Sequence, residues 1–104
     1  MYNSPLYQFW LRTEDNQMTN VLMYSTAICP YCIRAEQLLH HKGIDVDKVR
    51  IDLDPERYQE MLQRSGGRRT VPQIFVGEVH VGGYDDLAAL EREGRLDPLL
   101  EQNA

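Results

Sequence analysis

The sequence predicts an α/β domain built as a strand–helix–strand unit followed by a helix, a hairpin and a final helix. Two observations carry this. Short apolar strand-like runs alternate with helix-length segments through the first half of the chain, and a two-residue turn at Gly77-Glu78 joins two strand-like runs in the second. A right-handed strand–helix–strand unit makes its two strands parallel, and the hairpin adds two strands antiparallel to each other.

The elements follow in order. The first strand is read at Asn20–Ser25, with the apolar run Val21-Leu22-Met23-Tyr24. The first helix runs from Pro30 to about Lys42. Proline suits its first turn, where the missing N–H breaks no bond, and Gly43 is a natural stop. The second strand is expected over Asp47–Asp52, with Val49, Ile51 and Leu53 alternating against polar neighbours. Asp54-Pro55 supplies an N-cap acid and an N1 proline for a helix reaching about Arg64. Ser65-Gly66-Gly67-Arg68-Arg69 reads as a loop. Strands at Gln73–Val76 and Val79–Val81 form the hairpin, and Gly82-Gly83 breaks the chain. A helix is expected over Asp85–Glu93, ended by Gly94, with a last short helix over Pro98–Gln102.

At 104 residues the chain holds one core. It is 42% hydrophobic and 26% charged, an ordinary globular balance. A formal net charge of -5 disfavours nucleic acid as a partner, and no apolar run approaches the roughly 20 residues of a membrane-spanning helix. Residues 1–17 differ from the rest: Leu6, Phe9 and Trp10 make an aromatic-rich stretch, followed by polar Arg12 to Gln17. With no basic start and no small-residue cleavage site, this is a poor secretory signal. It is read as an extension the domain does not need, the alternative being a short partner-binding arm. The domain proper is read as residues 18–104, and a cytoplasmic location is expected.

The two cysteines, Cys29 and Cys32, stand in Cys29-Pro30-Tyr31-Cys32 at the strand-to-helix junction. That placement points to thiol–disulfide chemistry, because the attacking species is the thiolate and a helix N-terminus stabilises negative charge. Cys29, at the N-cap, is expected to be the exposed nucleophile of lower pKa; Cys32, one turn on, is expected to face inward and resolve the mixed disulfide. Half of a zinc site is the competing reading. It fails on ligands: His40 lies about 16 Å further along the helix, too far to complete a coordination shell. No metal is expected.

Four blocks in order, Cys29-Pro30-Tyr31-Cys32, Thr70-Val71-Pro72-Gln73-Ile74-Phe75, Gly82-Gly83-Tyr84-Asp85-Asp86 and Gly94-Arg95-Leu96-Asp97-Pro98-Leu99-Leu100, resemble the glutaredoxins, specifically the dithiol class of small bacterial type. The resemblance spans nearly everything after the extension. It implies a thioredoxin-like fold with a four-stranded mixed sheet flanked by helices, and a cis peptide bond at Val71-Pro72 facing the cysteines. It further implies a glutathione-dependent oxidoreductase that reduces protein disulfides and glutathionylated proteins as a monomer, with electrons coming from NADPH through glutathione and its reductase.

Carried over by position, Val71 would pair through its backbone with an extended substrate beside Pro72 and Thr70. Gly83, Tyr84 and Asp85 would hold the γ-glutamyl end, with N–H groups toward its carboxylate and the Asp85 side chain toward its amino group. Tyr31 would lie beside the glutathione sulfur. Many members have a lysine three residues before the first cysteine; this chain has Thr26. Arg69 and Arg68 are the substitutes for binding the glycine carboxylate, and Arg34 is a weaker candidate. Two other activities stay in view. One is an electron donor linked to thioredoxin reductase, for example to ribonucleotide reductase. The other is a [2Fe–2S] cluster carrier, against which both Pro30 and Cys32 argue.

Overall fold

The computed structural model describes residues 20–103. In chain order these form β1 (Val21–Ser25), α1 (Pro30–His41), β2 (Asp47–Arg50), α2 (Pro55–Arg64), β3 (Gln73–Val76), β4 (Val79–Gly82), α3 (Tyr84–Arg92) and α4 (Leu96–Gln102). The strands make one four-stranded mixed sheet in the order β2-β1-β3-β4. β1 runs parallel to β2, with Ser25 opposite Arg50, and antiparallel to β3, with Tyr24 opposite Gln73. β3 and β4 form the antiparallel hairpin. This is the thioredoxin-like architecture that the resemblance implied. The extension at residues 1–17 lies outside the described residues.

β1 is apolar from Val21 to Tyr24 because both of its faces are covered. Val21 and Met23 belong to a cluster with Ala35, Leu39, Ile74, Val76, Leu87, Leu96 and Leu100, under α1, α3 and α4. Leu22 and Tyr24 point the other way and meet Met61 and Phe75, under α2. Tyr24 is fully buried. Its hydroxyl donates to Glu60 and accepts from Arg64 Nη1 at 3.1 Å, and burial is the main cause that raises its pKa.

Among the boundaries that differ from expectation, three have a local cause. β2 ends at Arg50, and Ile51–Leu53 turn away, leaving Leu53 72% exposed rather than in an alternating strand. The cause is Asp52, whose carboxylate takes a two-pronged bond from Arg50, both arms 2.8 Å, and accepts from Ala27 N–H at 3.3 Å. α3 begins at Tyr84, with Gly83 as its N-cap, because Asp86 reaches back to Gly83 N–H at 2.9 Å. α4 begins at Leu96, which places Pro98 within its first turn, where a proline N–H would have no helical partner anyway.

Candidate active site

The loop leaving β1 delivers Cys29 to the N-cap of α1 in extended conformation, and Pro30 takes N1. Cys29 Sγ accepts the Cys32 N–H at 3.1 Å, and Cys29 C=O accepts the Ile33 N–H at 3.1 Å. The two cysteines are joined as a disulfide, with Cα atoms 5.2 Å apart. The N–H that bonds Cys29 Sγ here is a donor available to a Cys29 thiolate after reduction, when the helix N-terminus also favours the charge. One expectation is corrected. Cys29 is buried at 7% exposure, hardly more open than Cys32 at 4%. Its sulfur is engaged by the bond to Cys32 and by that N–H.

The predicted groove residues come together beside this pair. Val71 and Tyr84 pack on the same buried cluster as both cysteines. Val71-Pro72 is cis. Gly83 abuts this segment: a Cβ there would stand 3.6 Å from the Pro72 carbonyl oxygen. Tyr31, from α1, and Tyr84, from α3, stack with ring centroids 6.2 Å apart, and Tyr31 is 54% exposed. Asp85 is exposed at the start of α3, and its carboxylate has no partner among the described residues.

The cations divide. Arg68 turns to α3, where both terminal nitrogens lie 3.4 Å from Asp86 Oδ2. Its backbone is held by Ser65, whose Oγ accepts the Arg68 N–H at 3.0 Å. Arg69 is exposed and has no side-chain partner among the described residues. Arg34 lies over the Tyr31 ring, 5.5 Å from its centroid. A cleft of about 290 Å³ on the other side of the disulfide is lined by Thr26, Cys29, Cys32, Glu36, Lys48 and Arg50. Lys48 pairs with Glu36 at 3.2 Å, and Arg50 pairs with Asp52. The sequence reading missed these two cations. The signal was available: a parallel strand pair brings the C-terminal end of β2 to the same edge as the cysteine loop. A larger groove of about 590 Å³ runs along β4, α3 and α4, and neither cysteine lines it.

Two further residues were not foreseen. Gln73, fully buried, donates from Nε2 to the Thr70 carbonyl at 3.0 Å and to Thr70 Oγ1 at 3.2 Å. Its Oε1 meets His80 Nε2 at 2.7 Å. Burial, with Arg68 as the second cause, pushes the His80 pKa below the usual imidazole value.

The glutaredoxin family model matches residues 21–81. A glutaredoxin of Pseudomonas aeruginosa is 58% identical over 83 residues, covering 80% of this chain and 98% of its own length. Glutaredoxin 3 of Escherichia coli is 50% identical over 84 residues, covering 81% of this chain and all of its own. Among solved structures, a buckwheat glutaredoxin–glutathione complex superposes with a TM-score of 0.73 at 30% identity, covering 81% of this chain and 78% of that one.

Proposed function

The chain belongs to the glutaredoxin family and is a thiol–disulfide oxidoreductase, and from that premise we propose that glutathione is its reducing co-substrate. The observation that carries the reading is the cysteine pair at the α1 N-terminus with Tyr31, Val71, Tyr84 and Gly83 gathered beside it. The buckwheat relative, of the same fold, was solved with glutathione.

In this reading Val71 pairs through its backbone with the cysteinyl part of glutathione, flanked by Thr70 and Pro72. Gly83, Tyr84 and Asp85 take the γ-glutamyl end, where a helix N-terminus suits the carboxylate and the Asp85 carboxylate, without a partner among the described residues, suits the amino group. Tyr31 covers the sulfur. Arg69, free of ion pairs among the described residues, answers the glycine carboxylate in place of the missing lysine.

The thiolate of Cys29 attacks a glutathionylated protein at the glutathione sulfur. The protein leaves as a thiolate and Cys29 carries the glutathione; a second glutathione thiolate then releases oxidised glutathione and restores Cys29. On a protein disulfide, Cys29 forms the mixed disulfide and Cys32 resolves it. That yields the Cys29–Cys32 bond seen here and a reduced substrate, and two glutathiones return the pair to dithiol. Potentials of roughly -200 to -230 mV suit glutaredoxins to exchange with a glutathione pool. The same reading places the protein in the cytoplasm, acting as a monomer on disulfide-bonded or glutathionylated proteins. No helix among the described residues is long and apolar enough to cross a membrane.

The test is reduction of hydroxyethyl disulfide with glutathione, glutathione reductase and NADPH. Turnover by the wild type and none by Cys29→Ser is the expected result. Activity with thioredoxin reductase and none with glutathione would overturn the proposal.

A further inference from the structure

We infer that His80 and Gln73 are positioning residues for the reaction: together they set the orientation of the Thr70–Val71 peptide, and with it the Val71 N–H offered to substrate. The inference rests on the proposed pairing of substrate at Val71.

Thr70 C=O and Val71 N–H belong to one planar peptide unit, with oxygen and hydrogen on opposite sides. Fixing the oxygen therefore fixes the direction of the N–H. Gln73 Nε2 grips that oxygen at 3.0 Å and Thr70 Oγ1 at 3.2 Å. Thr70 is itself exposed, and among the described residues no other hydrogen bond reaches its side chain, so the buried amide of Gln73 is its anchor.

The amide can act in only one sense. A carbonyl accepts and never donates, so the nitrogen of Gln73 must face Thr70 and Oε1 must face His80. His80 Nε2, 2.7 Å away, must then carry the proton. A neutral ring with Nε2–H has a bare Nδ1. The ring is held in place by stacking on Phe75, centroids 4.7 Å apart and planes 21° from parallel, and Phe75 is in turn edge-on to the buried Tyr24. His80 on β4 thus fixes which way the Gln73 amide points, and Gln73 on β3 fixes the peptide at the mouth of the site. Each bond polarises the next. Without the His80 donor, Oε1 of a fully buried residue has no partner, and the amide is free to turn over and release Thr70.

The experiment separates the donor from the ring. His80→Phe keeps a ring to stack on Phe75 and removes the proton donor. His80→Gln places a side-chain N–H the same number of bonds from Cα and removes the ring. Steady-state kinetics are measured with glutathione and a glutathionylated peptide, alongside the alkylation rate of Cys29 by iodoacetamide and amide exchange at Val71. In His80→Phe we expect KM for the glutathionylated peptide to rise about five- to tenfold, the effect of one neutral hydrogen bond. The kcat and the alkylation rate are expected to stay within about twofold, since the helix end that activates Cys29 is untouched. Val71 N–H exchange should quicken, and His80→Gln should recover KM and slow exchange. Gln73→Leu, which removes both hydrogen bonds, is the second variant; it should show the same rise in KM and faster Val71 exchange, and it carries the test if His80→Phe folds poorly by circular dichroism. Unchanged KM and exchange in His80→Phe and Gln73→Leu would overturn the inference, as would failure of His80→Gln to recover them. If the wild type shows no saturable use of the glutathionylated peptide, the glutathione reading fails; Val71 exchange, measured without substrate, still decides the positioning of the peptide.

Discussion

At the scale of single residues, the proposed function gives the two cysteines unequal duties. Cys29→Ser should abolish turnover on every substrate. Cys32→Ser should retain deglutathionylation, because glutathione can resolve Cys29 itself, yet lose reduction of protein disulfides. Parallel assays on both substrate types check this, and equal losses would refute the division. Arg69→Ala should raise KM for glutathione, with an effect that shrinks as salt rises, because it is an exposed charge. His80 gives a prediction in pH. Its folded pKa is depressed below the ordinary value near 6.5 by burial and by Arg68 and Arg64, with Asp86 opposing. Between those two values the unfolded chain binds the extra proton and the native state does not. The stabilisation is therefore complete above about pH 6.5 and falls as pH drops toward the folded pKa. Urea unfolding from pH 8 to 5 should show a steeper loss for the wild type than for His80→Gln; identical slopes would remove this role. That Cys29 and Cys32 form a redox pair was legible, because they are the two cysteines of the chain and stand three residues apart at a helix start. Gln73 and His80 were not. Strand alternation says which residues share a face, but not that a polar side chain on one strand is buried and bonded to a loop and to a second strand.

At the scale of elements, local chemistry wrote the helix starts plainly. Cys29-Pro30 and Asp54-Pro55 each pair an N-cap with an N1 proline, and both helices begin there. Asp54 accepts from Glu56 N–H at 3.1 Å and from Arg57 N–H at 3.4 Å. Asp54→Ala should cost about 1 kcal/mol by urea unfolding, with glutathione activity kept, since α2 lies across the sheet from the cysteines. The end of β2 was written less plainly. Leu53 continued the apolar alternation, whereas the side-chain bonds of Asp52 to Arg50 and Ala27 decided the turn. Such a partner, 25 residues back in the chain at Ala27, does not show in a local pattern. The loop Ser65–Arg69 instead folds back on the end of α2: Gly67 N–H bonds Leu62 C=O at 2.7 Å, with Gly66 and Gly67 both at positive φ. That closure aims Arg68 at Asp86 and leaves Arg69 without a side-chain partner among the described residues, a split that two adjacent arginines in a sequence do not reveal.

At the scale of the molecule, the sheet separates two tasks. The face under α1, α3 and α4 carries the cysteines and the larger apolar cluster. The face under α2 carries Tyr24, Met61 and Phe75, with the Tyr24–Glu60–Arg64 contacts and the His80 stack. Gln73, on the second face, reaches back through Thr70 to the substrate side, and Val71 packs against both clusters. Every residue of both clusters named among the described residues falls between Val21 and Leu100, and the sequence reads the aromatic-rich residues 1–17 as an extension that the domain does not need. Deleting residues 1–17 should then change unfolding free energy by no more than about 0.5 kcal/mol, the scale of changes away from a core. Glutathione activity should be unchanged, because each proposed binding residue lies between Tyr31 and Asp85. Urea unfolding and the hydroxyethyl disulfide assay on full-length and truncated chains make the comparison. A loss of stability would assign the segment to the fold, and a loss confined to protein substrates would make it the partner-binding arm that Leu6, Phe9 and Trp10 suggest.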